Sequence, residues 1–359
     1  MKKLLFVILF IIPFNVMAIS ASSAIAMDLD NDIIYYEKNI NNERLIASIT
    51  KIMTAIVTIE CTDLDKEVTV DEDVLKAYGS AIYLEVGEKI KIRDLLYGLM
   101  LRSGNDAAIV LAKNVAGSMD KFSLLMNELA QKIGMKNSYF YNAHGLEEKS
   151  GEGNLSTAKD MALLTRYAMK NEEFKKIFGT KKYKVTTNKK TYSWINKNKL
   201  LHSEDYITGG KTGFTEKARR TLVTTASRNN INVVIVTLND GNDFLDHKNL
   251  YKEIFKDYEA IKVLDKKKIK IKNEKRFKKD NLYLKEDIYL PVKNKQKDNI
   301  KIEYELYNDV KYKNGDIVGK VLIRYNNKIV RKENIYVEVE NVKKKKESFF
   351  HKIIRWFSW

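Results

Sequence analysis

Ile46-Ala47-Ser48-Ile49-Thr50-Lys51-Ile52-Met53-Thr54-Ala55-Ile56-Val57-Thr58-Ile59 is apolar and free of Gly and Pro, and it carries a Ser and a Lys three residues apart near its start. The pattern predicts a buried helix that opens at or just before Ser48. On such a helix Ser48 and Lys51 project to one face, within hydrogen-bond reach of each other. A serine hydroxyl is a poor nucleophile until a base takes its proton, and lysine is a base only as the free amine. The pair therefore needs a pocket that desolvates Lys51 or sets another cation beside it. Ser118 to Lys121 and Ser156 to Lys159 share the Ser-x-x-Lys spacing. An exposed helix surface is the ordinary setting of such a pair, so the rest of the chain has to distinguish Ser48.

Two later stretches do so. Ser103-Gly104-Asn105 links one helical pattern to the next, with Gly104 expected to permit the tight link. Ser103 can pass a proton to a leaving amine, and the Asn105 amide can donate to a substrate carbonyl while accepting from a lysine. Read alone, the same residues serve as caps of the following helix. Gly209-Gly210-Lys211-Thr212-Gly213-Phe214-Thr215 sets a cation and a hydroxyl among glycines, where a strand edge can approach a ligand closely and an extended substrate can pair as an added strand. Lys211 is the cation expected to depress the Lys51 pKa and to attract a carboxylate. Thr212 is expected to hydrogen-bond that carboxylate, and the N–H groups of Ser48 and Phe214 to form an oxyanion hole beside Gly213. Only the set beginning at Ser48 has all three motifs in order.

Helical spacing of Leu and Met recurs at 93–101, 105–115, 119–133 and 156–170, and a further helix fits 245–258. Strand patterns occupy Lys184–Thr187, Arg220–Ala226 and Asn232–Leu238, the last two around Asn229-Asn230. Helices inserted between strands, with antiparallel strands at the end, predict a mixed α/β domain covered by helices. Beyond Ile261 short strand-like runs at 282–290, 299–307, 316–325 and 328–340 predict a small all-β domain, with Asn314-Gly315 and Asn326-Asn327 as turns.

Met1-Lys2-Lys3, the apolar run Leu4–Phe14 and the small residues Ala18–Ala26 read as a secretory signal peptide. Ala24-Ile25-Ala26 is the expected cleavage site and Val16-Met17-Ala18 the alternative. The expected division is thus 1–26 signal peptide, 27–260 catalytic domain, 261–342 β-rich domain and 343–359 amphipathic helix. In that last stretch Phe349, Phe350, Ile353, Ile354, Trp356, Phe357 and Trp359 share one face behind a run of four Lys, a pattern expected to hold the protein to a membrane surface. The chain of 359 residues has a formal charge of +17, which in an exported protein favours acidic lipids or wall polymers over nucleic acid. Cys61 is the only cysteine, so no intramolecular disulfide forms, and its place at the end of an apolar stretch predicts a packed thiol. With four His and no His-Glu-x-x-His, a zinc hydrolase is disfavoured, and no cofactor or metal is expected.

Ala47 to Thr54, Ser103-Gly104-Asn105-Asp106-Ala107, Ala143-His144-Gly145-Leu146, Leu155 to Asp160 and Gly210 to Thr215 together resemble the motif blocks of the low-molecular-mass penicillin-binding proteins that are serine D-Ala-D-Ala carboxypeptidases, the peptidase S11-like family. The resemblance runs from about Asn31 to Val339. It implies a catalytic domain of β-lactamase/DD-peptidase type, an antiparallel sheet with a helical subdomain, followed by a β-rich domain that ends in a membrane-anchoring helix. It further implies an acyl-enzyme at Ser48, peptidoglycan stem peptides ending in D-Ala-D-Ala as substrates, and acylation by β-lactam antibiotics. Asp309 to Gly319 looks like the family's Gly-Asp-x-x-Gly turn without a usual nearby proline. Arg219-Arg220 stands where relatives commonly have small residues. Both arginines are candidates for a second carboxylate-binding group, which the sequence leaves open, as is an exposed strand with no such role. A β-lactamase is disfavoured because the Glu-x-x-x-Asn deacylation signature is missing around 142–160, where Ser150 lies four before Asn154. A DD-endopeptidase or transpeptidase is not separable by these motifs, and a catalytically silent wall-binding protein would not need the complete set.

Overall fold

A five-stranded antiparallel sheet forms the frame of the first domain, in the order Ile34–Lys38, Ser23–Asp28, Ile231–Leu238, Arg219–Arg228, Ile207–Thr215. The structure is a computed structural model and describes residues 19–339 except 149, 268, 270, 272–276, 278–279, 294–298 and 308–310. Asn229 and Asn230, at φ +52° and +62°, join the two long strands in the left-handed two-residue turn that matches strand twist. Helices cover both faces, because successive residues of the Ile231–Leu238 strand go to opposite cores. Val234 and Val236 pack with Ile52, Met53 and Ile56 of the nucleophile helix. Val233 and Ile235 pack with Leu250, Tyr251 and Ile254 of the Asp243–Asp257 helix.

The expected helices are present as Lys51–Cys61, Ile92–Tyr97 continued by a wider turn over Gly98–Arg102, Asn105–Ala116, Met119–Ile133 and Ala158–Ala168. The helix Glu172–Phe178 and the N-terminal strands escaped the periodicity reading. The two Ser-x-x-Lys lookalikes have structural uses. Ser118 caps the Met119–Ile133 helix by accepting from the Lys121 N–H, while Ser156 is buried in a short strand with its hydroxyl 2.7 Å from that of Ser138.

The second domain is all β, and its first strand opens at Tyr258. Tyr258–Leu264 leaves the preceding helix directly as a strand and pairs with Ile288–Lys293. A four-stranded sheet follows in the order Asn281–Tyr283, Lys328–Glu338, Ile317–Tyr325, Ile300–Leu306, and Leu290, Val292, Val321, Ile323 and Ile335 fill its core. Gly315 at φ +88° and Asn326-Asn327 at +50° and +63° make the expected turns.

Of the two candidate cleavage sites one leaves the N-terminal strand whole, and two expectations are corrected. Ser23–Asp28 is a fully buried strand hydrogen-bonded on both sides, so a boundary after Ala26 divides it, whereas Val16-Met17-Ala18 leaves it whole. Cys61 is exposed at the end of its helix, not packed. The C-terminal region is a β domain whose described part ends just beyond the strand Lys328–Glu338. That finding overturns attachment to a membrane surface through a C-terminal helix, and the segment 343–359 invoked for it lies outside the described residues. No helix among the described residues is long and apolar enough to cross a membrane.

Candidate active site

A short 3-10 turn, Ala47–Thr50, delivers Ser48 to the head of the Lys51–Cys61 helix. Ala47 takes φ +47° to make it. Opposite lies Gly145 at φ +85°, where any Cβ would sit 2.0 Å from the Ala47 carbonyl oxygen. Only glycine fits that close crossing. Lys51 is fully buried, and its Nζ lies 3.1 Å from Ser48 Oγ while donating to Asn105 Oδ1 at 2.7 Å and to the His144 carbonyl at 2.5 Å. A neutral amine has two N–H donors and one lone pair. With both donors spent on those two oxygens, the lone pair is left for the Ser48 hydroxyl.

Ser103 and Asn105 face this pair from the far wall. The left-handed residue of their link is Ser103 at φ +66°, not Gly104 at φ −60°. Gly104 is needed for space, since a Cβ there would meet Asp106 Oδ1 at 2.9 Å. Neither polar residue caps the next helix; its N-cap is Gly104, without a side-chain bond. Asn105 is instead held by donating to the Tyr78 carbonyl at 2.6 Å, which aims Oδ1 at Lys51. Asp106 fixes the loop in front by accepting from the N–H groups of Ile82 and Leu84.

The Ile207–Thr215 strand closes the third side. Lys211, buried, donates to Ser103 Oγ at 3.1 Å, so each lysine is paired with one serine. A Cβ on Gly213 would lie 2.4 Å from Thr221 Oγ1 and 2.9 Å from the Ser48 backbone nitrogen. The strand edge thus abuts the amide of the nucleophile, the place where oxyanion donors are needed. Thr212 is half-buried and Phe214 is 58% exposed beside it.

Burial is the main cause that holds the Lys51 amine well below the ordinary lysine range; Lys211 and then Lys197 add to it, and Asp106 opposes. Lys211 is lowered to about 7, by burial and then Lys197. The His144 ring is pushed down to about 3, by burial and then the Lys51 charge, and is therefore neutral; it contributes its backbone carbonyl. The three motifs line a cleft of about 490 Å³ with Ser80, Lys197, Arg220, Asp243 and Phe244. Of the two arginines, Arg220 lines the cleft and Arg219 does not.

The sequence reading missed the His144 carbonyl as a lysine partner, because a backbone atom leaves no residue-type signal. It also missed Lys197, whose one hint is its place between Asn196 and Asn198. The latter amide packs where a Cβ on Gly210 would come within 2.3 Å.

A nucleophile with a desolvated amine, a second serine–lysine pair and an amide-lined strand edge define a serine acyl-transfer site. Comparison with known proteins agrees. The family profile described as D-alanyl-D-alanine carboxypeptidase matches residues 13–242, and that of penicillin-binding protein 5, C-terminal domain, matches 258–344. The chain belongs to the D-alanyl-D-alanine carboxypeptidase family. It is 34% identical over 226 residues to the D-alanyl-D-alanine carboxypeptidase DacF of Bacillus subtilis, a match that covers 61% of this chain and 57% of that protein. The match therefore spans little more than half the length of that relative. Penicillin binding protein 5 of Haemophilus influenzae superposes with a TM-score of 0.71 at 25% identity, covering 90% of this chain and 97% of the other. A mutant form of the Streptomyces DD-transpeptidase superposes with a TM-score of 0.62 at 30% identity, covering 66% and 97%.

Proposed function

We propose that the protein is an exported serine D-Ala-D-Ala carboxypeptidase that trims peptidoglycan stem peptides at the outer face of the cytoplasmic membrane or in the wall space. The observation that carries this reading is the pairing of Ser48 with a fully buried Lys51 whose Nζ also donates to the Asn105 and His144 carbonyl oxygens. Ser48 Oγ attacks the carbonyl of the penultimate D-Ala while Lys51 Nζ takes its proton. The oxyanion is held by the N–H groups of Ser48 and Phe214. Ser103, backed by Lys211, gives the proton that lets D-Ala leave as the amine. Lys211 and Thr212 face the terminal carboxylate. Water then attacks the acyl-enzyme and releases the shortened peptide. β-Lactams, which present an acylating carbonyl and a carboxylate in the same relation, acylate Ser48.

Export is supported by the first residues and by the intact N-terminal strand, with processing after Ala18 rather than Ala26 as the reading that keeps the sheet whole. The likeness to a protein described as a DD-transpeptidase supports a second reading, in which an amine rather than water accepts the acyl group. The experiment is D-Ala release from a lysyl-D-Ala-D-Ala peptide, with and without an added amine acceptor. Wild type is expected to release D-Ala and Ser48→Ala to release none. Equal release by both removes the nucleophile assignment, and release only with the amine present favours transfer.

A further inference from the structure

We propose that Arg220, set by Asp243 and Phe244, is the second group that grips the free terminal carboxylate of the substrate; this rests on the carboxypeptidase reading and specifies how its substrate class is selected. Arg220 leaves the Arg219–Arg228 strand opposite Phe214 and lines the same cleft as Ser48, Ser103 and Thr212. Its Nη2 donates to Asp243 Oδ1 at 2.8 Å, and the guanidinium lies over the Phe244 ring at 5.8 Å. Asp243 is almost fully buried, with 5% of its side chain exposed, while Arg220 is 47% exposed. The carboxylate therefore orients the fork from behind and leaves it open in front. Nε and Nη1 have no acceptor among the described residues, and Nη2, with one N–H on Asp243, keeps its second N–H for whichever edge it shares with Nε or Nη1. Two parallel N–H groups on a rigid plane match a carboxylate better than a lysine point charge does.

The loop behind Arg220 is itself anchored. Asp240 donates its N–H to the Arg220 carbonyl at 3.0 Å. Ser20 Oγ lies 2.5 Å from Asp240 Oδ1 and 2.9 Å from Asp246 Oδ2, its single proton serving one of them, and it accepts from the Asn242 N–H at 3.0 Å. Arg219 has no such support and stands outside the cleft. Lys197 is the competing cation. It lines the same cleft, donating to Ser80 Oγ at 3.2 Å, and its flexible stem fixes no plane.

The test compares two peptides, one ending in a free D-Ala carboxylate and one in D-Ala amide. A charge-assisted pair of hydrogen bonds is worth about 10- to 100-fold. Wild type is expected to prefer the acid by about that factor in kcat/KM. Arg220→Gln is expected to cut the preference by about 10-fold or more, leaving the part that Lys211 and Thr212 supply, mainly through KM, with Arg220→Lys between the two. Asp243→Asn, which frees the fork without removing it, should lower the preference less, and rescue in Arg220→Lys tells a binding role from a merely structural one. An unchanged ratio in Arg220→Gln at unaltered thermal stability overturns the proposal. So does loss of the preference in Lys197→Met instead. If wild type cleaves neither peptide and takes no penicillin, the carboxypeptidase reading falls as well, an outcome distinct from cleavage without preference, which overturns the Arg220 assignment alone.

Discussion

Gly213 shows how much a single missing methyl group can decide. A Cβ there would stand 2.4 Å from Thr221 Oγ1 and 2.9 Å from the Ser48 nitrogen, distances that force either the strand or the nucleophile turn to move. Removing one oxyanion donor costs about 100- to 1,000-fold, so Gly213→Ala is expected to slow penicillin acylation by a comparable factor while the thermal midpoint falls only slightly. A stopped-flow acylation rate equal to wild type would contradict the placement of the strand edge. Lys51 invites a second substitution. Arginine keeps the charge and cannot give it up at any working pH, so Lys51→Arg is expected to lose the roughly 100- to 10,000-fold that a positioned base supplies. In wild type the acylation rate should rise with pH as Lys51 loses its proton, levelling well below the ordinary lysine range because burial, Lys211 and Lys197 depress it. A rate that climbs steadily toward pH 10 would show an undepressed lysine. At this scale the sequence was legible in residue types and spacing, down to Asn105 accepting from a lysine. What it concealed was backbone. Nothing in Ser103-Gly104 announces that Ser103, not the glycine, takes the left-handed conformation, and no side-chain pattern marks the His144 carbonyl.

Elements were legible where they repeat at helical spacing. Met119–Ile133 lies where its Leu and Met periodicity puts it, and the Asn229-Asn230 and Asn326-Asn327 turns sit where their residue types demand. The N-terminal strand was misread because Ser23-Ala24-Ile25-Ala26, small and apolar, has the composition both of a signal-peptidase site and of a strand buried on both faces. The two readings separate experimentally. A chain beginning at Met27 lacks four of the six residues of that strand and the Ser20 anchor, so it is expected to be insoluble or unfolded by circular dichroism. A chain beginning at Ile19 should fold and bind penicillin. Cooperative folding of the shorter chain would show that the strand is dispensable.

Across the whole molecule the buried lysines should appear in the pH dependence of stability. Lys211 has a folded pKa of about 7 against an unfolded value of about 10.4. Between those values the unfolded chain binds more protons than the folded one, so stability rises with pH, by at most about 1.4 kcal/mol per unit from this group, and Lys51 adds in the same direction. The buried tyrosines, raised in the fold, act oppositely only as pH approaches their range. Lys211→Met is therefore expected to flatten the stability profile from pH 7 to 10 in urea melts and to raise stability at pH 7. An unaltered slope would mean that Lys211 keeps its charge in the fold. The two-domain plan was visible in the composition shift near Ile261, and the strand opens slightly earlier because Tyr258 passes from helix to strand without a turn residue. The domains are tied by the Asp32 N–H to the Val330 carbonyl at 2.7 Å and by Asn31 Nδ2 to the Tyr289 carbonyl at 3.3 Å, contacts that no local pattern encodes.

On the proposed mechanism Ser48 forms the acyl-enzyme with Lys51 as its base. The most direct measurement is the intact mass and peptide map of the protein after incubation with benzylpenicillin. One penicilloyl group on the peptide containing Ser48, absent from Ser48→Ala and strongly reduced in Lys51→Arg, is the predicted result. An adduct that persists in Ser48→Ala, or one mapped to Ser103 or any other residue, would contradict it.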